Sequence, residues 1–240
     1  MAQGSDSRLM IDEDFYGAAS ALAATTAPPI ALGSLNVVGQ GIAETDSGAP
    51  RMDSDGLNGV IQLTTTNEDV HCAGLQSATM FDVGLMGSIV LEARVRQAAL
   101  NTGEVFIGFS DVNTDLAIIE GAICHGDTVT VTLTASDLVG FLMASDLTDN
   151  SDWHGVYNGG TTTGETVSTS LDFDAGATAG EYQVLRLELF PNGTAEWWVD
   201  GVLEQTVTGA VSTSVDLCLN VLVESKTTAV KTMDVDYIRV

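Results

Sequence analysis

Paired carboxylates are the residues of this sequence that are most directly suited to catalysis. Hydrolysis of a glycosidic bond with retention of configuration uses two carboxyl groups on one face, about 5 Å apart. Asp234 and Asp236 share one face of a strand, and Asp12-Glu13-Asp14 is an acidic run near the N-terminus. Glu188 has no acidic residue two positions on. We interpret Asp234 and Asp236 as a solvated strand face, so the sequence predicts no catalytic residues and no enzyme.

Two adjacent couples, His71-Cys72 and Cys124-His125, are the residues that could bind zinc. If they met in space they would form a set of two histidines and two cysteines, which suits a structural zinc site. Adjacent residues of a strand point to opposite faces, however, and joint ligation is then awkward. The third cysteine, Cys218, is also distant from the others, and no Cys-x-x-Cys motif occurs. The sequence therefore predicts buried free thiols and no metal site among its cysteines.

Calcium is the one cofactor for which a loop offers ligands. The segment 146–152 (Asp-Leu-Thr-Asp-Asn-Ser-Asp) concentrates oxygen donors, and Ca²⁺ takes six to eight of them. The segment lacks the glycine and the terminal glutamate of an EF-hand loop, and we interpret it as a solvated turn. His154 follows it without the spacing of a zinc motif. The sequence thus predicts no cofactor, with calcium as the alternative.

Aromatic residues suggest where a glycan could bind. Trp153 and Tyr157, with Asn158, lie near a loop rich in glycine and threonine and could form a platform for a sugar ring. Trp197 and Trp198 are adjacent, so a strand would turn one to the core and the other outward or to a partner.

The charge of the chain excludes several partners. The 240 residues contain 8 Lys and Arg against 33 Asp and Glu, for a net charge of −25 at pH 7. Phosphate backbones and anionic membrane surfaces repel such a chain, so we expect no nucleic acid and no membrane as partner. With 45% hydrophobic residues the chain can form a sizeable core. The uncharged stretch 17–43 follows acidic residues, and we therefore expect neither a signal peptide nor a transmembrane helix.

The residue pattern predicts an all-β, antiparallel sandwich or jelly roll. Apolar residues alternate in segment 88–95, with Ile89 and Leu91 on one face, and in segment 184–190, with Leu185, Leu187 and Leu189 on one face. We expect these five residues in the core. Asn-Gly at 192–193 and Asp-Gly at 200–201 predict tight turns that join three strands into a meander.

The first 48 residues differ from the rest. Residues 17–48 have no charge before Glu44 and no strand alternation, and Pro28-Pro29 limits any helix. We expect residues 1–48 to form an N-terminal strand and an extended, loop-rich arm against the sandwich or a neighbouring subunit. Residues 49–240 are then the sandwich.

Several segments together resemble the concanavalin A-like lectin/glucanase jelly rolls. The hairpin Glu196–Val202 and the closing strand Met233–Val240 resemble the corresponding elements of that superfamily, and Ile11–Phe15 could pair with the last strand. Further similarity lies in segments 59–65, 91–95 and 106–111. Glucanases of this fold carry Glu-x-Asp-x-(x)-Glu on one strand, and this sequence has no such triad. Only 17% of the residues are charged, and alanine and threonine are abundant. In this respect the chain is most similar to structural proteins of tailed phages.

The resemblance and the charge together predict a non-enzymatic virion protein, a decoration or cement protein that stabilises a bacteriophage head. We expect it to be made in the host cytoplasm and to bind the major capsid protein on the capsid exterior, as a homo-oligomer and most simply a trimer. The scarce cations could serve these contacts: Arg51, Arg94, Arg96, Arg186, Lys226, Lys231 and Arg239. The alternative is a carbohydrate-binding lectin-like module, free or on a virion, and a glucanase-like hydrolase is a distant third.

Overall fold

The computed structural model describes residues 9–15, 30–39, 51–52, 59–114, 119–226 and 228–240. These residues form two large antiparallel sheets packed face to face, as the alternation predicts. The strands are, in chain order: β1 (Asp12–Glu13), β2 (Ile30–Leu32), β3 (Leu35–Val38), β4 (Arg51–Met52), β5 (Ile61–Thr64), β6 (Cys72–Gln76), β7 (Phe81–Asp82), β8 (Ile89–Gln97), β9 (Gly103–Ser110), β10 (Cys124–Asp127), β11 (Thr130–Leu133), β12 (Leu138–Ala144), β13 (Asp152–Asn158), β14 (Asp172–Gly176), β15 (Tyr182–Leu189), β16 (Ala195–Val199), β17 (Val202–Val207), β18 (Asp216–Ser225) and β19 (Thr232–Arg239).

Two sheets and a small hairpin account for these strands. The eight-stranded sheet has the order β17-β16-β15-β8-β19-β5-β4, with β1 also paired to β19. The nine-stranded sheet has the order β14-β13-β12-β9-β18-β6-β3-β2, with β7 also paired to β18. β10 and β11 form a separate hairpin. A π-helical turn (Ile119–Ile123) and a four-residue helix, α1 (Ser168–Leu171), complete the elements, and no helix of the described residues is long and apolar enough to cross a membrane.

The core lies between the two sheets. The five residues expected there, Ile89, Leu91, Leu185, Leu187 and Leu189, are all buried, which confirms the alternation. The predicted meander is β15-β16-β17, and the predicted pairing of the N-terminal strand with the last strand is that of β1 with β19.

Part of the expected arm belongs to a sheet. Residues 30–38 form the hairpin β2-β3, and β3 pairs with β6 at an edge of the nine-stranded sheet. Gly33 supplies the turn with a φ of 60°, a left-handed conformation that glycine adopts without strain. The expected loop-rich arm thus contains a paired hairpin at residues 30–38, which lies at the edge of the nine-stranded sheet. Residues 16–29 and 40–50 of the expected arm lie outside the described residues, and the boundary at residue 48 stays a prediction.

The adjacent Trp197 and Trp198 differ in burial, as predicted. Trp197 is fully buried, and its indole Nε1 donates to the carbonyl of Gly140 in the opposite sheet at 2.9 Å. Trp198 is half-buried, and its Nε1 has no hydrogen-bond partner among the described residues. Of these two tryptophans, Trp197 is therefore the one that joins the sheets by a hydrogen bond.

Replacing each tryptophan tests this difference. Trp197→Phe removes the inter-sheet hydrogen bond and leaves a void, and we expect it to lower the free energy of unfolding by about 2 kcal/mol. Trp198→Phe is the matched control and should cost less than about 1 kcal/mol, since it removes an indole nitrogen that has no partner. Urea unfolding measures both values. Equal losses in the two variants would contradict the proposed link between the sheets.

Candidate functional site

The inner face of the nine-stranded sheet packs on the other sheet. A functional site on the nine-stranded sheet would therefore lie on its outer face. Gln97 of β8 contacts Met143, and Tyr157 packs against Trp197 at 6.1 Å between ring centroids, so Met143 and Tyr157 face inward. Their strand neighbours then face outward. Glu104 and Glu224 belong to this outer face, directly opposite each other on β9 and β18.

A segment of the chain covers this outer face. We call residues 119–133, the π-helical turn with the β10-β11 hairpin, the cover. Its residues Ile119, Ile123, Cys124 and Val131 are fully buried, and the sheet strands beneath are buried along their whole length. At Gly126 the approach is so close that an added Cβ would lie 2.7 Å from the side chain of Ala144. The face is therefore closed in this structure.

The two buried glutamates hold the cover to the sheet. Glu224 accepts hydrogen bonds from the backbone amides of Ile119 and Glu120, the latter at 3.2 Å. Glu104 accepts from the amide of Gly126 at 3.2 Å and lies 3.0 Å from Nδ1 of His125. These bonds satisfy backbone groups that burial would otherwise leave without a partner.

The electrostatics of the pair follow from burial. Burial, followed by the neighbouring Glu104 carboxylate, raises the pKa of Glu224 to about 8. The hydrogen bond with Glu104 raises the pKa of His125. Burial disfavours the charge of Lys226, but its bond to Glu120 and the nearby Glu104 carboxylate outweigh this and raise its pKa. Lys226 lies 4.0 Å from Glu104, so it compensates the charge of that carboxylate.

Two opposed carboxyl groups, one of them with a raised pKa, have the chemistry of a general acid and base. The pair was not predicted, because spacing in the sequence indicates carboxylates that share one strand, whereas Glu104 and Glu224 lie on different strands. A signal existed: each is a single acidic residue within an apolar strand segment. Both residues are 0% exposed. Both oxygens of Glu224 and Oε1 of Glu104 accept from amides of the cover, whereas Oε2 of Glu104 is buried without a hydrogen-bond partner among the described residues. In this arrangement they hold the cover in place.

The zinc couples are not assembled. Cys72, Cys124 and Cys218 are free and buried, as predicted, and burial raises the pKa of each thiol. His71 contacts Thr66 at 2.7 Å, whereas His125 contacts Glu104. Among the described residues, the only group with metal-ligand spacing lies elsewhere and contains none of these residues.

Asp234 and Asp236 serve an ion-pair network on the outer face of the eight-stranded sheet. Asp234 accepts two hydrogen bonds from Arg96, at 2.9 and 2.6 Å, and Asp236 accepts one from Arg94 at 2.5 Å. The interpretation of a solvated face is corrected for Asp234, which is only 6% exposed, because the arginine covers it.

The cations are used within the molecule. Six of the seven cations named as candidates for capsid contacts have described side chains, and each has an internal partner. Arg186 pairs with Glu92 at 3.8 Å, and Arg239 with Asp12 at 3.2 Å. Lys231 is buried, donates to the carbonyl of Ala99 at 2.9 Å, and has its pKa lowered to about 7 by burial. Carboxylates and carbonyls of the same chain thus engage all six, and a contact of any of them with a capsid stays a prediction.

The expected aromatic platform is inside the sandwich. Trp153 is fully buried and donates from Nε1 to Gln183 at 3.0 Å, and Tyr157 is 7% exposed. Asn158 donates to the carbonyl of Ala135. Trp153 and Tyr157 point inward on β13, so they offer no surface to a sugar ring.

The acidic segment 146–152 is not a single ligand loop. Asp146 lies 3.8 Å from Lys226, and Asn150 donates to the carbonyl of Ser145. Asp149 instead lies 3.3 Å from His154. Asp146 and Asp149 thus have different neighbours.

Comparison with known proteins identifies the fold. No family model matches the chain, and no curated protein is similar to it in sequence. Among solved structures, an endo-acting O-glycanase of the human gut microbiota has a TM-score of 0.61 at 10% identity, over 95% of this chain and 97% of that one. The β-glucanase of Bacillus licheniformis has a TM-score of 0.53 at 15% identity, over 96% of both chains. The carbohydrate recognition domain of Emp46p has a TM-score of 0.55 at 11% identity, over 86% and 87%.

These neighbours show that the chain has the concanavalin A-like lectin/glucanase jelly-roll fold. Identities this low show the fold alone.

The pH dependence of stability tests the role of Glu224. The folded state keeps its proton up to about pH 8, whereas the unfolded chain releases it near pH 4.5. The contribution of Glu224 to stability is therefore fully present below pH 4.5 and is lost as the pH rises toward 8. Glu224→Gln keeps an oxygen for the cover amides and cannot ionise. Between pH 5 and 8 we therefore expect the free energy of unfolding of the wild type to decrease by about 2–4 kcal/mol more than that of the variant.

Urea unfolding across this range makes the measurement. Glu181→Gln, at an exposed position, is the control and should retain the wild-type profile. Parallel profiles for the wild type and Glu224→Gln would contradict the role given to this carboxyl.

Proposed function

We propose that the chain is a non-enzymatic structural protein that binds the exterior of a bacteriophage capsid, as a decoration or cement protein. The observation that carries the non-enzymatic part is the engagement of Glu104 and Glu224 by the cover. A catalytic pair has to touch its substrate, and these two carboxyl groups touch backbone amides of their own chain.

The distribution of charge supports an exterior position. Internal partners engage the six described cations, so their charge is not displayed as free positive patches. The chain still carries 33 acidic residues against 8 basic ones. Its surface therefore repels packaged DNA and disfavours sticking between copies.

Exposed apolar residues supply a contact surface for the major capsid protein. Leu85 is 85% exposed and Met86 is 42% exposed, both on the turn after β7. Apolar side chains displayed on a rigid turn favour burial against a partner over free exposure. A trimer would present this turn three times and multiply weak contacts.

A glycan-binding module is the second candidate. Its support is that structural neighbours include a carbohydrate recognition domain and glycan-cleaving enzymes. The buried positions of Trp153 and Tyr157 weigh against it, and so does the cover, which occupies the outer face of the nine-stranded sheet.

Binding of the purified protein to capsids that were assembled without it distinguishes the capsid-binding function from the glycan-binding function. We expect added purified protein to co-sediment with them at a copy number near that of the capsid subunit, and to raise the temperature at which they rupture. Leu85→Asp should weaken this binding about tenfold or more, because it places a charge in the contact. Val230→Asp, at another exposed apolar position, is the control.

Two results would contradict the proposal. One is the absence of binding to the particles. The other is specific binding on a glycan array together with particles that are fully stable but fail to attach to cells, which would establish the lectin-like function.

A further inference from the structure

One end of the nine-stranded sheet gathers three side chains that can ligate a metal. Asp149 lies in the turn before β13, His154 lies on β13, and Asp172 begins β14. The register pairs His154 directly with Asp172. One ligand atom of each residue lies within 4.8 Å of those of the other two.

His154 points to a ligand independently of the acidic residues. Its side chain is 0% exposed, and neither ring nitrogen has a hydrogen-bond partner among the described residues. Nε2 lies 3.3 Å from Oδ2 of Asp149, yet the geometry is not that of a hydrogen bond. Oδ1 of Asp149 is likewise buried without a partner among these residues. Buried polar atoms are almost always satisfied, so an imidazole and a carboxylate left together in this way lack a binding partner.

The surrounding charge favours a cation. Asp152 lies at the start of β13 and interacts with the carboxylates of Asp172 and Asp149 and with His154. Several carboxylates thus crowd around one imidazole, and a divalent ion would relieve their repulsion.

We propose that Asp149, His154 and Asp172 bind a divalent first-row transition-metal ion such as Zn²⁺. An imidazole ligand selects such an ion over Ca²⁺ or Mg²⁺, which take oxygen ligands. Two ligands of a tetrahedral Zn²⁺ with bonds of about 2.0–2.1 Å lie about 3.3 Å apart. The separation of His154 Nε2 from Asp149 Oδ2 is 3.3 Å.

The ion joins the turn before β13 to the edge strand β14. It therefore fixes an end of the sheet that is otherwise held by strand pairing with a register shift between residues 152 and 154. The proposal does not depend on binding to a capsid. It also differs from the calcium alternative of the sequence, since it uses a histidine and Asp172 from outside the segment 146–152.

Isothermal titration of the purified full chain with Zn²⁺, after removal of metals with a chelator, tests the site. We expect binding at one ion per chain and a rise in the thermal midpoint, since an ion that binds the folded state stabilises it. Asp149→Asn and Asp172→Asn should each weaken binding about tenfold or more. In Asp172→Asn the side-chain amide oxygen can still accept the hydrogen bond that Asp172 accepts from the Asp174 backbone amide, so this variant keeps the local turn.

Asp174→Asn is the matched control and should bind Zn²⁺ like the wild type, because Asp174 lies outside the ligand group. Ca²⁺ should bind more weakly than Zn²⁺ in every variant. Three outcomes would overturn the proposal: no stoichiometric Zn²⁺ binding by the folded wild type, unchanged binding in folded Asp149→Asn and Asp172→Asn, or tighter binding of Ca²⁺ than of Zn²⁺.

Discussion

The burial of two carboxyl groups on the outer face of the nine-stranded sheet constrains much of this structure. Glu104 and Glu224 stand side by side on central strands, where a lone charge would be costly. They are tolerated because the cover brings backbone amides and His125 to them, and Lys226 lies beside the pair. The same contacts close the face. A fold shared with lectins and glucanases thus has this face occupied by its own chain, which is why we place recognition on exposed turns instead.

The fold was predictable where one face of a strand meets solvent. β8 alternates strictly between buried and half-buried residues, and its pattern was visible in the sequence. β12, with the sequence Leu-Val-Gly-Phe-Leu-Met-Ala, is buried on both faces and was not predicted. Its continuous apolar run has no period of two, because the cover replaces water on the outer side. The hairpin β2-β3 was missed for a related reason, since its pairing is decided by an edge distant in sequence.

The candidate site was less accessible to sequence reasoning than the fold. The absence of an acidic triad on one strand was a sound observation, but it could not reveal Glu104 and Glu224, whose pairing depends on the register of β9 with β18. His154 and Asp172 are likewise brought together by a strand pairing that spacing does not encode. The internal ion pairs of the arginines were not predicted, because they depend on which carboxylates the strand register places beside them.

Amide hydrogen exchange of the cover tests most directly the claim that the chain itself closes this face. The amides of Ile119, Glu120 and Gly126 donate to the two buried glutamates and should be protected to a degree similar to those of β9 and β18. If these three amides exchanged rapidly while the strands beneath stayed protected, the cover would open independently of the sheet. Glu104 and Glu224 would then be accessible, which would contradict a closed, non-catalytic face.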